Sequence, residues 1–436
     1  MPARIGAVAP ERILVTHLDH TPDLLGLSGD PRLTRPAVVS VRGWQLLVAD
    51  PVARLRSLAA LDSYAAAVGW RDEPTDGPPF RTGAVGCLND DLSAGLLGLP
   101  PDARPAVAPV GQVDFGVYEW AIAIDPDGRG WVVAERDQTA ALRSWIASAP
   151  RAGIPSRPPP RNARLGLARR DHGSAVARIL EWIAAGDLYQ ANLTLQVAVS
   201  WTASAQLLAA RLWQATPGAS HAAMMVLDRR TAVVSASPET FLRTHGDLVV
   251  TRPVKGTRRR EEDPVLDERR ADELRGSDKD HAEHVMIVDL ERNDLGRACE
   301  PGSVRVADYA ALEAHPTVWH LTSTVRGRMR NDVGLAALVA ATFPSGSVTG
   351  TPKRMAVART ALLEPVRRGV YCGAMGVVAP GMVDLSVAIR TAVVHQGMAS
   401  YGTGGGIVAD SDPDQEFAEA MDKAAAFYTA TGASPP

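Results

Sequence analysis

Lys255 stands in the stretch Thr-Arg-Pro-Val-Lys-Gly-Thr at residues 251–257, flanked by Pro253 and Gly256. Proline restricts the backbone before the lysine and glycine lets it bend sharply after it, which suits an amine that must point at one place. An ordinary exposed turn is the alternative, because charged side chains are mostly on surfaces. Two carboxylate pairs follow at i, i+3 spacing, Asp280 with Glu283 and Glu416 with Glu419. On helices each pair shares one face. Taken singly, each is a solvated face. If the two helices converge, four carboxylates repel unless a hard cation sits among them, and Mg2+ takes one or two such ligands with water and substrate oxygens completing its octahedron. Arg390 lies in the apolar stretch 387–394, where a charge either faces water or meets an anion. His320 follows Trp319 among apolar and hydroxyl-bearing residues, the usual setting of a hydrogen-bonded core histidine.

Two glycine-bearing stretches invite a nucleotide reading, and both fail it. Residues 401–407, YGTGGGI, read as a turn after a strand, with Gly404, Gly406 and Ala409 approaching a dinucleotide fingerprint. That fingerprint needs a helix starting at the glycines, whereas here the helix waits until Pro413. A loop of backbone N–H groups cradling a carboxylate is the better reading. GSVTGTPK at 346–353 looks like a P-loop, but Thr351 and Pro352 separate Gly350 from Lys353.

The elements that position these groups read as a mixture of short strands and helices, so the fold class is α/β. Apolar runs at 37–41 and 44–48 predict strands, 51–68 a helix, and 83–86 a turn entering a buried strand. The segment 151–164, rich in proline and arginine and without periodicity, reads as a linker. It divides the chain into an N-terminal α/β part, 1–150, and a second part, 165–436. In the second part Val176, Ile179, Leu180 and Ile183 recur at helical spacing and Gly186 stops the helix. Leu193, Leu195, Val197 and Val199 then alternate, and short runs at 223–227, 231–235 and 247–251 with tight polar turns predict an antiparallel sheet. Helices are expected at 264–275, 278–296, 334–342 and 355–363, and strands at 374–378 and 383–394. The last helix opens with Asp412 as N-cap, Pro413 in its first turn and Gln415 three residues on. No repeat of 20 to 50 residues is present.

A chain of 436 residues, 46% hydrophobic and 22% charged, has room for a large core and about two domains. Its net charge of -3, from 46 basic and 49 acidic residues, lacks the basic excess that attracts nucleic acid or anionic membrane. A small-molecule partner is expected. Three cysteines, Cys87, Cys299 and Cys372, have neither disulfide nor zinc-ligand spacing. With no leader-like start and no run of 18 apolar residues, a soluble, unprocessed protein of a reducing cytoplasm is expected.

Taken together, GDLYQANLTLQ (186–196), SASPETF (235–241), RPVKGT (252–257), DKDHAEHVMIVDLERNDLGR (278–297), HLTSTVRG (320–327), FPSGSVTGTPK (343–353), AIRTA (388–392) and GGGIVADS (404–411) resemble the chorismate-utilising enzyme family, in particular its aminodeoxychorismate branch. The resemblance covers about residues 170–427, and more loosely the N-terminal part. It implies an anthranilate-synthase-like α/β sandwich of two large antiparallel sheets with helices outside. It implies Mg2+ held directly by Glu283 and Glu419, with Asp280 and Glu416 supporting through water, and the ion holding the ring carboxylate of chorismate. Tyr371, Arg390, Gly404 and Gly406 look like the grip on the enolpyruvyl carboxylate, and Ser347 a further hydroxyl contact. Gly256, Thr257 and Gly405 belong to the same implied substrate surface.

In this family Lys255 stands where anthranilate synthases carry a small residue, typically alanine, and aminodeoxychorismate synthases carry lysine. The implied reaction adds the Lys255 amine at ring C2 as the C4 hydroxyl leaves; ammonia then adds at C4 and expels the lysine. An amine near pKa 10.4 is a poor nucleophile until partial burial and cations such as Arg252, Arg258 and Mg2+ lower it. Glu239 resembles the general acid and must hold a proton, hence a raised pKa. Gln190 replaces the water-activating lysine of salicylate and isochorismate synthases, so ammonia is the expected nucleophile. His320 matches a histidine implicated in the anthranilate branch and does not separate the two. Arg259 replaces a common proline, and 217–225 lacks the Pro-Tyr-Met pattern of tryptophan-feedback sites, so no tryptophan inhibition is expected. No glutaminase nucleophile is recognisable, so ammonia is expected from solution or, as the resemblance implies, from a separate glutamine amidotransferase subunit in a heterodimer. The competing expectations are an anthranilate synthase component and a non-catalytic chorismate-binding subunit.

Overall fold

The computed structural model describes residues 13–73, 77–149 and 161–435. Successive residues of a strand serve opposite faces of its sheet. Val38, Leu47 and Val234 accordingly enter one apolar cluster, and their neighbours Val39, Leu46 and Val233 enter another. The second cluster also takes Val85, Val377 and Met382, so it is the layer between two sheets. Among the described residues one sheet has thirteen strands and the other ten. Adjacent strands are antiparallel throughout, except where the short strand Ala433–Ser434 runs parallel to Arg161–Leu165. Helices Ala205–Ala215, Pro413–Lys423 and Ala425–Thr431 cover the outer face of the larger sheet. Helices Leu58–Val68, Asp278–Gly296 and Leu335–Thr342 cover that of the smaller. The expected sandwich of two large antiparallel sheets with helices outside is present.

Both sheets draw strands from both sides of residue 150. The larger pairs Ala37–Val41 with His221–Asp228, and the smaller pairs Gly83–Leu88 with Ala374–Ala379. Of the segment read as a linker, Arg161–Leu165 is a strand beside Gln190–Ser200, and 151–160 lie outside the described residues, as do 1–12 of the stretch read for a leader. In the expected helix 51–68, Ala53–Leu55 is instead a strand. The helix proper is Leu58–Val68, because the Ser57 hydroxyl accepts from the Ala60 N–H and so fixes the start. Gly69 at φ 68° ends it. The expected helix 355–363 is Lys353–Thr360, behind Pro352.

Two corrections shape the functional region. The apolar stretch 383–394 is two strands, Met382–Val387 in the smaller sheet and Thr391–His395 in the larger. Between them the chain crosses the sandwich, with Arg390 at φ 50°. Hydrophobicity alone cannot tell one long buried strand from two joined by a crossing. Likewise 401–407 is no turn: Met398–Ile407 is one strand, in which Gly404, Gly405 and Gly406 lie opposite Thr194, Leu193 and Asn192. A second crossing lies at Pro238 and Glu239, between Thr231–Ser237 of the larger sheet and Thr240–His245 of the smaller. The crossings are bonded together: the Ser237 hydroxyl donates to the Val387 carbonyl at 2.6 Å, and the Val387 N–H donates to the Glu239 carbonyl at 3.0 Å.

The strand Gln190–Ser200 is tied down by a buried ion pair. Arg368 reaches Glu364 at 2.7 Å and also donates to the carbonyls of Asn192 and Val348, while Glu364 accepts from the Thr194 N–H at 3.0 Å. Removing one partner of such a pair strands the other in the core, at a cost of about 3–5 kcal/mol.

Candidate functional site

Lys255 is aimed by a bulge. In the strand Val254–Arg259, Lys255 lies opposite Leu321 and Thr257 opposite His320, so Gly256 is the extra residue. Gly256 has φ 81°, and a Cβ there would stand 2.8 Å from Leu274 Cδ1. Only glycine fits that conformation without strain, and the bulge turns the neighbouring side chain. Lys255 is half-buried. Its Nζ lies 3.5 Å from where a Cβ on Gly406 would stand, across the sandwich on the larger sheet. Gln190 Nε2 is 2.3 Å from that same point. Gln190 is fully buried, and neither its amide oxygen nor its nitrogen has a hydrogen-bond partner among the described residues. Leaving both atoms unpaired in a dry core is costly, so the amide suits a polar ligand beside Lys255.

Glu239, 3% exposed on its crossing, lies beside the Ser347 hydroxyl and the Val254 N–H. Burial dominates and holds its carboxyl above the ordinary range; the charge of Glu291 adds to this, while Ser347 and Lys255 oppose it. A carboxyl so placed carries a proton where an exposed one does not, which is what a general acid needs. His320 is also buried, with Nδ1 2.9 Å from the Thr257 hydroxyl. Burial first, then Arg390 and His315, pushes its pKa down to about 3, so its imidazole is neutral. It can accept or relay a hydrogen bond but is no cationic acid.

The crossing that carries Arg390 also opens a strand edge. Thr391–His395 pairs with the glycine strand only as far as Ala392 opposite Tyr401. Beyond Tyr401 that edge of residues 402–407 has no strand beside it among the described residues, and Arg390 sits where the neighbour would have continued. Arg390 makes no ion pair among the described residues, and burial lowers its pKa. A cation without a counter-charge beside free backbone N–H groups is a seat for a carboxylate. The Gly404 carbonyl is taken by Lys423 Nζ at 3.0 Å. Tyr371 is placed farther up the strand, with ring atoms 2.1 Å from where a Cβ on Gly402 would stand. Its ring lines a small pocket together with Gly402, Arg368 and Thr391.

The two carboxylate helices come from opposite sheets and meet at one end of the sandwich. Lys279 of Asp278–Gly296 lies 3.6 Å from Glu416 of Pro413–Lys423. Glu416 accepts from the Ser411 hydroxyl at 2.6 Å, and its other oxygen stands 3.1 Å from a Cβ position on Gly405. Glu419 pairs with Lys423 at 2.7 Å, which lowers its pKa. Glu283 is raised, by burial first and then by facing Glu419 and Glu416, with Lys255 and Lys279 opposing. Asp280 is paired with Arg258 at 2.8 Å, and Arg252 with Glu313. The two arginines expected to act on the Lys255 amine are thus each engaged by a carboxylate. No three carboxylate, imidazole or thiol groups among the described residues form a ready cage for a metal. The donor set suits Mg2+, which uses one or two carboxylates plus water and substrate, better than a cation that needs many protein ligands.

The structure therefore brings together Lys255, Glu239, Ser347, Arg390, His320 and the glycines 404–406, with Glu283, Glu416 and Glu419 at one end. Thr257 touches the group through His320. Glu291 and Ser345 were not anticipated: Glu291 is 1% exposed and accepts from the Ser345 hydroxyl and the Gly346 N–H, both at 2.9 Å. A signal was there, since Glu291 falls four residues from both Ile287 and Leu295, on the buried face of its helix. Lys353 of the P-loop-like stretch is fully used on Asp294 and the carbonyls of Thr342 and Pro344.

A family profile described as chorismate binding enzyme matches residues 45–429. The chain is 34% identical over 404 residues, 87% of its length and 88% of the other's, to aminodeoxychorismate synthase component 1 of Salmonella typhimurium. It is 35% identical over 414 residues, 91% of its length and 86% of the other's, to anthranilate synthase component 1 of Thermus thermophilus. Among solved structures, the menaquinone-specific isochorismate synthase of Escherichia coli superposes with a TM-score of 0.78 at 18% identity, covering 96% of this chain and 94% of that one. Anthranilate synthase component I of Streptococcus pneumoniae superposes with a TM-score of 0.74 at 24% identity, covering 99% and 95%. At those identities the two structures speak for the fold.

Proposed function

The chain belongs to the family of chorismate binding enzymes, and on that premise we propose that it converts chorismate and ammonia to 4-amino-4-deoxychorismate, the work of an aminodeoxychorismate synthase component 1. The observation that carries this reading is the amine of Lys255, which makes no hydrogen bond or ion pair among the described residues and lies between the buried acid Glu239 and the glycine strand. The enolpyruvyl carboxylate is held by Arg390 and the open edge at Gly404 and Gly406. Lys255 adds at ring C2 while Glu239 gives its proton to the departing C4 hydroxyl, which leaves as water. Ammonia adds at C4, the lysine leaves, and Glu239 takes back a proton from the new amine. Glu283 and Glu419 would hold Mg2+, whose chemistry is to neutralise the ring carboxylate. For that, the contacts of Lys423 with Glu419 and of Lys279 with Glu416 must loosen. His320, neutral, orients the pocket through Thr257.

The ammonia is proposed to come from a separate glutamine amidotransferase. The thiols of Cys87, Cys299 and Cys372 are all buried, and burial pushes Cys87 up to about 12 and Cys299 to about 11. Such thiols are not poised to attack glutamine. The purified chain with chorismate, Mg2+ and ammonium is expected to give a product with the mass of 4-amino-4-deoxychorismate, and none when glutamine replaces ammonium. Relatives named anthranilate synthase at comparable identity make anthranilate the second reading. Anthranilate as the product would establish it in place of the first, and bound but unconverted chorismate would establish a binding subunit.

A further inference from the structure

Lys255 and Glu283 belong to different elements, a strand and a helix, and one buried serine joins the two. The Ser323 N–H donates to the Pro253 carbonyl at 3.2 Å, two residues before Lys255. Its hydroxyl oxygen lies 2.6 Å from His284 Nε2, one residue after Glu283. Ser323 Oγ also accepts from the Ala310 N–H at 2.9 Å, at a bulge in the neighbouring strand Arg305–Ala314 where Ala310 stands at φ 46°. Ser323 and His284 are both 0% exposed, so no water can replace the bond between them. The bond forms with either tautomer of the ring, since a hydroxyl both donates and accepts. On the other side of Lys255 a second link closes the loop: Arg258, three residues on, pairs with Asp280, three residues before Glu283, at 2.8 Å. Between the two links the elements approach closely, because a Cβ on Gly256 would stand 3.4 Å from Asp280 Cβ.

We propose that Ser323 and His284 are positioning residues that set the reach of the Lys255 amine by bracing its strand to the helix of Glu283. The substrate shows why a brace is needed. In the proposed reaction Lys255 attacks ring C2, and the ring carboxylate assigned to the Glu283 end of the site is carried on C1, the adjacent carbon. Amine and carboxylate end must therefore keep one spacing, and a strand that shifts along the helix carries the amine away from C2. Arg258 and Asp280 hold that spacing weakly, because their side chains are 31% and 20% exposed and such pairs contribute little in water. The buried bond carries the rest. His284 Nδ1 has no partner among the described residues, so Ser323 alone fixes the ring by hydrogen bonding. Ser323 in turn is locked by the Pro253 carbonyl and the Ala310 N–H, which leaves its hydroxyl aimed at the helix.

This rests on Lys255 being the nucleophile, so the experiment has one arm without substrate and one with it. In the free full-length chain, hydrogen exchange resolved to single amides is expected to be at least about tenfold faster at Ser323 and Ala310 in His284→Leu than in the wild type. His284→Gln, whose amide reaches about as far as Nε2, is expected to restore slow exchange. In single turnover, Ser323→Ala and His284→Leu are each expected to form the Lys255 adduct about 10- to 100-fold more slowly, with chorismate affinity unchanged within about twofold. The double variant should be no slower than the worse single one, because both changes break the same bond. His284→Gln should recover most of the rate. A merely structural role would lower the amount of folded protein without separating rate from affinity. Should His284→Leu fail to fold, Ser323→Ala still decides, since it keeps the backbone N–H that meets Pro253. Unchanged exchange in His284→Leu, or a wild-type adduct rate in either single variant, would overturn the brace. A wild type that forms no adduct, with exchange altered as expected, would remove the covalent step and still establish the brace.

Discussion

Replacing Lys255 with alanine is expected to reduce formation of the amino product on the order of 10^4-fold, the scale on which enzymes respond to loss of a nucleophile. Chorismate should still bind. The side chain holds no hydrogen bond or ion pair among the described residues, and Pro253 and the Gly256 bulge set the backbone independently of it. The change therefore removes chemistry with little cost to the fold. It also alters charge, because Lys255 lowers the pKa of Glu239, Glu283 and Glu419. Lys255→Arg separates the two effects. Arginine keeps the positive charge but stays protonated in proteins and cannot attack carbon. If Lys255 is the nucleophile, both variants are equally inactive in a single-turnover assay, and a chorismate-derived adduct is found by mass on Lys255 of the quenched wild type alone. Recovery of activity in the arginine variant would show that only the charge was needed, and the covalent step would be lost from the mechanism.

Replacing Glu239 with glutamine is expected to lower kcat about 10^2- to 10^4-fold, the usual contribution of a general acid. Its pH signature is as informative as its size. The acid form does the work, and burial together with Glu291 raises the pKa of Glu239. On the alkaline side wild-type activity should therefore fall as pH rises through that raised pKa, whereas an ordinary carboxylate would already be ionised and inactive near neutrality. The glutamine variant should lose this alkaline limb and keep a flat, low rate. A variant that retains the limb would place the titrating group elsewhere.

Much of this was legible in the chain, and what was not has a physical reason. The helix boundaries at Asp278–Gly296 and Pro413–Lys423 follow from Ser277 and Asp412, whose side chains accept from the first backbone N–H groups, so both carboxylate pairs could be placed on helix faces in advance. Their convergence could not, because spacing within a helix carries no information about a helix from the opposite sheet. The stretch 383–394 hid its crossing for a related reason: both halves are buried, and a continuous apolar run looks the same whether or not it changes sheets. The glycines 404–406 were expected to break a strand and instead sit within one. At Gly404 a Cβ would lie 2.1 Å from the Leu193 carbonyl, so glycine is there to let two strands close up. Glu291 looked like one more charge on a polar helix, and only its neighbours at four-residue spacing marked it as buried.

The placement of the groups across the two sheets has a mechanical consequence. Glu239 and Arg390 ride on crossings bonded to each other, so they move as one piece. Lys255 belongs to the smaller sheet and the glycine strand facing it to the larger. The spacing of the two sheets therefore sets the reach of the amine to the glycine strand, while acid and guanidinium are held in register by their bonded crossings. Met375 and Val377 in the layer between the sheets, far along the chain from Lys255, set that reach like shims in a vice.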